Sequence, residues 1–344
     1  DSLCVLHVLH ALEPALRCRL HVAHLDHALH AGSDDDAAFV NRHTANLGLA
    51  CTVERRDVAA LARRRRASLE TAARLARYDF LRSVAAATGA AAVATGHTRD
   101  DQAETLLLHL IRGSGLNGLA GMRPLREGII RPLLEVSHAE AIAYCATLGL
   151  TPRDDESNRS TAHTRNRLRL EVLPLLETVQ PAAGANVARA ARLVAADLAL
   201  IERLAGRALD RAVVRHDRSE VMLSVARWTE TDVALRPHML RLLLACLLGH
   251  ADGFDERHYT AMLDALEAHG VDTCLMLPKG LAFVRRGDEA TVGPRRAPVA
   301  LPLGDHALPV PGVAMTAAGT LRAEPATAPH DWTAVSPRVA YLNP

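Results

Sequence analysis

The sequence has few aromatic residues and almost no lysine. Phe, Trp and Tyr make up 3% of its 344 residues, and Lys279 is the only lysine. Any cationic surface must therefore be built from arginine, whose planar fork binds oxyanions bidentately. Cys-x-x-Cys pairs are also missing, so the cysteines are expected to be reduced, partly buried thiols of a cytoplasmic protein. The cysteines are Cys4, Cys18, Cys51, Cys145, Cys246 and Cys274.

A large net charge and a long apolar run are absent as well. The net charge of +1 excludes a polycation that would bind nucleic acid by bulk charge alone. No apolar run is long enough to span a membrane. Positive charge is instead local, at Arg63–Arg66 and between Arg159 and Arg169. Each run is explained most simply as a solvated helix face.

Short apolar runs alternate with helical patterns through the first half of the chain. This alternation predicts an α/β fold, a doubly wound parallel sheet. Ser33, Ser68 and Ser137 are placed to cap three of the helices. The predicted strands are Leu20–Leu25, Leu49–Glu54, Ala90–Thr95 and Ile129–Leu134.

The pattern changes after residue 176, where a long Ala/Leu/Arg helix is predicted from Val187 to Val213. A small α+β domain should follow, with helices at Asp232–Leu248 and Asp255–Ala268. A hairpin is expected across Pro278-Lys279-Gly280. We expect domains at 1–180 and 216–292, a helical linker at 181–215, and a linker with an incomplete C-terminal region at 293–344.

The run from Gly96 to Thr105 is the most informative motif. It follows a predicted strand and opens a helix, which is where open α/β sheets bind ligands. Asp101 and Glu104 are three residues apart and share a helix face, with His97 just before them. Two carboxylates on one face suit Mg²⁺ or an ammonium group. The simpler alternative is an acidic first turn that complements the helix dipole.

With three further segments, this motif resembles the tRNA(Ile)-lysidine synthetases of the PP-loop ATP pyrophosphatase superfamily. The order and spacing of these four segments make the resemblance specific over residues 1–180. It extends more weakly to residue 292. The other segments are His24-Leu25-Asp26-His27, Ser68-Leu69-Glu70 through Arg77-Tyr78, and Asp154–Asn158 followed by Arg165–Arg169.

The resemblance implies a ligase that uses ATP and Mg²⁺. ATP would adenylate the C2 carbonyl oxygen of the wobble cytidine of tRNA(Ile) with a CAU anticodon. Free L-lysine would then displace AMP to give lysidine. A homodimer is left open, and no membrane partner is expected.

The resemblance also implies roles for individual residues. Catalytic roles fall on Asp1, Arg77, His97, Asp101 and Glu104, with Asp1 and Asp101 as metal ligands. ATP or phosphate binding falls on Asp1, Ser2, His24, Asp26, Gly96 and Arg112. Contacts to tRNA or substrate fall on Glu70, Arg165, Asn166 and Arg169.

One departure from the family concerns its phosphate loop, Ser-Gly-Gly-x-Asp-Ser. Only Asp1-Ser2 of it is present, and the sequence stops at Pro344, where many family members continue into a basic C-terminal domain. We therefore expect a fragment truncated at both ends, whose binding of ATP and activity are open. Three alternatives remain. A tRNA thiolase would need paired cysteines. An amidotransferase synthetase would need a glutaminase segment, and none is visible. A non-catalytic nucleotide- or RNA-binding module needs neither.

Overall fold

The computed structural model describes residues 1–28, 32–151, 164–217, 219–249, 253–268, 272–295, 312–316 and 319–323. They form two compact units, Asp1–Arg203 and Leu204–Pro344. The finer boundaries expected from the sequence, near residues 180, 215 and 292, remain predictions. In the described part of the chain, no helix is long and apolar enough to cross a membrane.

The first unit alternates helices with short strands, as the sequence predicts. Its helices are α1 Ser2–Leu16, α2 Ser33–Asn46, α3 Val58–Arg65, α4 Leu69–Thr88, α5 Arg99–Ile111, α6 Leu116–Leu119, α7 His138–Thr147, α8 Thr164–Arg167 and α9 Leu173–Val179. A tenth helix, α10 Ala183–Ala212, begins in this unit and continues past Arg203 into the second. Its strands are β1 His21–Asp26, β2 Ala50–Arg55, β3 Val93–Ala94, β4 Leu125–Arg126 and β5 Ile129–Ile130.

The strands pair in parallel where the sequence predicts a parallel sheet. β1 pairs with β2 over six residues, and β3 pairs in parallel with β5, while β4 is antiparallel to β5. β3 and β5 are shorter than predicted, with two residues each. Ala90–Ala92 are exposed, because alanine offers too little apolar surface to hold that end of the run in a core.

Helix caps set where the helices of this unit begin. Ser68 and Ser137 cap α4 and α7 as predicted, by accepting from the amides of Thr71 and Glu140. Ser33 does not cap α2. Gly32 is the N-cap, and Ser33 lies one position inside the helix with its hydroxyl buried and unpaired among the described residues.

One helical path runs from α8 to α9 with a π-helical turn at Leu168–Val172. Pro174 lies in the first turn of α9. Because proline lacks an N–H and its ring clashes with the carbonyl four residues earlier, the helix must widen there. Arg165 precedes the turn and Arg169 lies within it. The turn therefore sets how the two side chains point relative to each other.

Small residues bring α4 close to β1 and α3. Ala72 and Ala76 are buried on one face of α4, and Phe80 continues that face with no exposed surface. They pack against Leu25 of β1 and Val58 of α3. This contact fixes α4 beside the carboxyl end of β1, where candidate site residues lie.

The second unit is a five-stranded antiparallel sheet covered by helices. The strand order is β6-β7-β10-β9-β8. Trp228, Phe283, Leu240 and Leu243 have no exposed surface and form its core. The strands are β6 Val213–His216, β7 Val221–Ser224, β8 Thr273–Met276, β9 Leu281–Arg286 and β10 Glu289–Pro294; the helices are α11 Val225–Thr229, α12 Arg236–Leu248 and α13 Glu256–Glu267.

The predicted hairpin is present as β8 and β9, joined across Pro278–Gly280. The sequence did not reveal β6, β7 or β10, whose residues alternate too weakly to separate strand from loop. A further hairpin pairs β11 Gly312–Thr316 with β12 Gly319–Ala323.

Candidate active site

The start of α1 lies against the end of β3. A Cβ on Gly96 would lie 2.8 Å from the backbone nitrogen of Ser2 and 2.9 Å from the carbonyl carbon of Asp1. Such distances are too short for any side chain, so only glycine permits this approach. Gly96 therefore brings the first turn of α1 to the carboxyl edge of the β3–β5 sheet.

The carboxylate of Asp1 does not cap α1. Its Oδ1 lies 2.8 Å from Nδ1 of His138, in the first turn of α7. The backbone N–H of His138 donates to Oδ2 of Asp100 at 2.6 Å. These contacts join the first turns of α1, α5 and α7, so three helix N-termini converge at one place.

Asp101 has two roles in the first turn of α5. Its Oδ2 accepts from the backbone N–H of Thr98 at 2.9 Å, completing a capping box. Its Oδ1 lies 3.1 Å from Nη2 of Arg169 and 3.4 Å from Nη2 of Arg165. The simpler interpretation of this acid, a helix-start residue, is therefore correct but incomplete.

Glu104 is a wholly buried carboxylate that joins two arginines. Its Oε2 accepts from Nε of Arg165 at 2.7 Å, and its Oε1 accepts from Nε of Arg169 at 2.5 Å. A charge at this depth is stable only when its partners satisfy it. The two carboxylates of α5 and the two partly exposed guanidiniums thus form a compensated four-residue cluster around the buried Glu104, here called the buried ion cluster.

The cluster alters the protonation of its neighbours. Burial lowers the pKa of Arg169, but the hydrogen bond and charge of Glu104 outweigh it, so that the net pKa is raised. Burial, together with the charges of Arg131, Arg165 and Arg74, lowers the pKa of His97 to about 4, against the charge of Asp101. His97 is therefore neutral at pH 7.

The contacts of His97 indicate its tautomer. Nδ1 lies 2.9 Å from the hydroxyl of Thr95, and that hydroxyl is 3.4 Å from the carbonyl of Ile130. If Thr95 donates to Ile130, it accepts from Nδ1–H, which leaves Nε2 of His97 as a hydrogen-bond acceptor.

A second group of predicted residues gathers at the carboxyl end of β1. Asp26 is buried and accepts from the backbone N–H of Ala28 at 2.8 Å, and Nη2 of Arg77 lies 3.2 Å from Nε2 of His27. Burial lowers the pKa of His24, and the charge of Arg77 acts in the same direction, against Asp26 and Asp36. Arg77 and His24 are therefore electrostatic neighbours.

Other predicted residues lie apart from these groups. Arg112 is exposed at the far end of α5, about 16 Å along the helix axis from Asp101. Glu70 is exposed in the first turn of α4, about 10 Å along that helix from Arg77. Asn166 follows Arg165 on α8 and is partly buried. The segment Asp154–Asn158 lies outside the described residues.

Two side chains at the site, those of His138 and Arg131, were not predicted from the sequence. His138 contacts Asp1 across 137 positions, and the only signal for it was its place in a capping box. Arg131 follows β5 and is 8% exposed, and among the described residues its Nε has no hydrogen-bond partner. Because buried donors are nearly always paired, this N–H is a candidate donor to a bound anion.

The carboxylates suit Mg²⁺ unequally. No group of three or more metal-ligating side chains is found in the described residues. Mg²⁺ often uses only one or two carboxylates together with phosphate oxygens, so such a group is not required. Asp1 offers hard oxygen donors at a helix start and fits the ion. Asp101 faces two guanidiniums, which repel a divalent cation, and it fits less well.

The cysteines are all free thiols. Cys4 of α1 and Cys145 of α7 are 2% and 1% exposed and pack in one small core. Burial, followed by the neighbouring Cys145, raises the pKa of Cys4. The two are therefore neighbours, which sequence spacing could not indicate, but a pair this enclosed, in which the pKa of Cys4 is raised, does not suit sulfur transfer.

Comparison with known proteins gives a consistent result. The PP-loop domain family matches residues 1–176. A tRNA(Ile)-lysidine synthase of Geobacter sulfurreducens is 36% identical over 347 residues, which cover all of this chain and 73% of that protein. The enzyme of the same name from Dehalococcoides mccartyi is 39% identical, covering 78% of this chain and 59% of that protein.

A third relative, the tRNA(Ile)-lysidine synthase of Salinispora tropica, is 40% identical over 298 residues. The match covers 85% of this chain and 87% of that protein. The matches to these three relatives thus cover between 59% and 87% of their own lengths.

Proposed function

This chain belongs to the tRNA(Ile)-lysidine synthase family of PP-loop proteins, and from that premise we propose that it ligates lysine to a tRNA cytidine. In the proposed reaction, ATP transfers AMP to the C2 carbonyl oxygen of the wobble cytidine of tRNA(Ile) with a CAU anticodon, and pyrophosphate leaves. The amine of free lysine then attacks C2, and AMP leaves with the oxygen.

The buried ion cluster is the observation that carries this proposal. The reaction needs anionic groups for a lysine ammonium and cationic groups for a polyphosphate, close together at one sheet edge. Asp101 and Glu104 supply the first kind, and Arg165 and Arg169 the second.

The contact distances favour different roles for Asp101 and Glu104. The guanidiniums lie 3.1 and 3.4 Å from Asp101 but 2.5 and 2.7 Å from Glu104. The looser contacts are those an incoming ammonium can replace at least cost. We therefore propose that Asp101 receives the lysine, while Glu104 holds the two arginines in position.

Residues at the helix starts are proposed to bind ATP. The first turn of α1, with Asp1 and Ser2 held against Gly96, offers backbone N–H groups to phosphate. Mg²⁺ bound at Asp1 would offset phosphate charge. His97 is too weak a base to carry the lysine proton, so an acceptor role in orienting the nucleotide suits it better.

The remaining residues keep their proposed roles at the periphery. His24, Asp26 and Arg77 are proposed to bind the nucleotide at the carboxyl end of β1. Glu70 and Asn166 are proposed tRNA contacts, and Arg112 could reach phosphate only at the far end of α5. Free thiols and a tRNA substrate fit a cytoplasmic enzyme.

The experiment is incorporation of labelled lysine into tRNA(Ile) by the whole chain with ATP and Mg²⁺. We expect one AMP and one pyrophosphate released per lysine, and lysidine detected in the tRNA by mass spectrometry. Asp101→Asn should lower incorporation at least 100-fold with the fold retained, and Asp35→Asn, at an exposed position of α2 with no proposed role, should lower it far less. ATP cleavage with no lysine transferred would refute the proposal.

A further inference from the structure

The turn that ends α3 carries an arginine cluster that the proposed site does not use. Asp57 caps the other end of α3 by accepting from the amide of Ala60 at 2.8 Å, so the helix is well defined. Arg63, Arg64 and Arg65 form its last turn, and Arg66 closes it with a left-handed backbone, φ 50°. All four side chains are exposed.

Within the described part of the chain, none of these four guanidiniums makes an ion pair or a side-chain hydrogen bond. The helix dipole favours cations at this end, but by only about 0.3–1 kcal/mol each, and it is screened by salt. Four neighbouring like charges also repel one another. The dipole alone therefore does not account for so dense an uncompensated charge.

A groove of about 370 Å³ lies beside the cluster, between α3 and α4. Arg64 and Arg65 line it, and Leu61 and Ala76 are also part of its wall. The other charges at the groove are Arg56, Asp57 and Asp79. Arg56 is bound to Glu54 at 2.6 Å, and Asp57 is used as a cap, so the unengaged groups are mainly the arginines.

The groove lies near the proposed site because α4 spans both. Arg77 of α4 contacts His27 at the carboxyl end of β1, while the first turn of α4 follows directly after Arg66. The two ends of this stretch are about 12 Å apart along α4. A polyanion that reaches the site is therefore within range of the cluster.

We propose that Arg63–Arg66 and this groove form a phosphodiester-binding surface that holds the backbone of an RNA strand beside the site. Arginine forks match phosphate oxygens bidentately, and contacts to the backbone carry no sequence information. The surface thus supplies affinity and orientation, whereas base recognition belongs elsewhere. This inference rests on the proposed function, which brings an RNA to this unit.

The test is RNA binding by the whole chain across a salt series, with a cognate and a non-cognate tRNA. Arg64→Gln/Arg65→Gln keeps good helix formers at both positions. The double variant should reduce the slope of log affinity against log salt by about 1.5, since each lost phosphate contact contributes about 0.7–0.9. Affinity should fall by the same factor for both tRNAs.

The matched control is Arg17→Gln/Arg19→Gln. Arg17 also closes a helix with a left-handed backbone, φ 51°, and both arginines are exposed. The control should leave the slope within about 0.3 of the parent, since it removes no phosphate contact. Arg64→Lys/Arg65→Lys should retain most of the slope, because charge is kept.

An equal loss of slope in both glutamine variants would mean a bulk-charge effect and would overturn the proposal. An unchanged slope in the groove variant would also overturn it, and would leave an acidic protein as the partner to seek. Lysine incorporation, measured separately, distinguishes the two hypotheses. If the groove variant loses salt slope but the parent chain transfers no lysine, the phosphodiester-binding surface is supported and the proposed ligase activity is refuted. If the parent chain transfers lysine but the groove variant keeps its salt slope, the ligase activity is supported and the surface is refuted.

Discussion

Two groups of arginines in the first unit look alike in sequence but differ in their ion pairing and solvent exposure. Arg165 and Arg169 belong to the buried ion cluster, where both bind the wholly buried Glu104. Arg63–Arg66 are exposed and, in the described residues, have no carboxylate partner. The same residue type thus stabilises the interior in one region and stays available to a partner in the other.

The difference follows from what surrounds each group. A wholly buried carboxylate needs hydrogen-bond donors in place of water, so the placement of Glu104 depends on its two arginines. Exposed arginines are solvated by water and depend on nothing in the fold. Substitutions should therefore affect stability in the first region and binding in the second.

The largest expected effect is on stability at Glu104. Glu104→Gln removes the shared buried acceptor of two partly exposed guanidiniums and should lower the free energy of unfolding by about 1–3 kcal/mol. Arg64→Gln should change it by less than about 0.5 kcal/mol. Urea denaturation of both variants measures this. Equal, small changes would show that the buried ion cluster is not a structural element.

Double-mutant cycles test the same difference between the buried ion cluster and the exposed arginines. Glu104→Gln combined with Arg169→Gln should be less destabilising than the sum of the single changes, by about 0.5–3 kcal/mol, because each change removes the other's partner. Glu104→Gln combined with Arg64→Gln should be additive, since the two groups share no contact. Additivity in the first cycle would contradict the geometry of the cluster.

The dependence of stability on pH is a smaller effect, and His97, beside the buried ion cluster, contributes to it. The pKa of His97 is lowered to about 4, below the ordinary value of about 6.5. Between these values the unfolded chain binds a proton that the folded chain does not, so stability falls as the pH drops from 6.5 to 4. His7 and His24 also have lowered pKa values and act in the same direction.

His97→Asn isolates the contribution of His97. The difference in unfolding free energy between parent and variant should vary with pH between 6.5 and 4 and level off outside that range. A difference that is constant with pH would mean that His97 titrates normally. Removing Arg64 should leave the pH profile unchanged.

The smallest expected effect is that of Arg169→Gln on the salt dependence of RNA binding. Because Arg169 is committed to Glu104 and Asp101, its loss should leave the salt slope unchanged while lysine incorporation falls. A slope reduced by about one unit would show that Arg169 reaches RNA phosphate after all, and the contrast between the two arginine groups would fail.

Local sequence signals gave much of the fold correctly. The caps at Ser68 and Ser137 and the parallel strands β1 and β2 follow from side-chain chemistry within a few residues. Ser33 failed as a cap because the helix begins one residue earlier than predicted, at Ser33 itself, and Gly32 takes the N-cap position. Short alanine-rich strands such as β3 were overestimated because periodicity does not measure buried area.

What the sequence determined by itself is most of the order of elements in the first unit, the family and the residue types at the site, since these depend on neighbours along the chain. Tertiary structure alone decided which charges meet. The pairing of Arg169 with Glu104 spans 65 positions, and that of Asp1 with His138 spans 137. Burial and long-range packing determine such pairs, and no local pattern distinguishes a paired arginine from a solvated one.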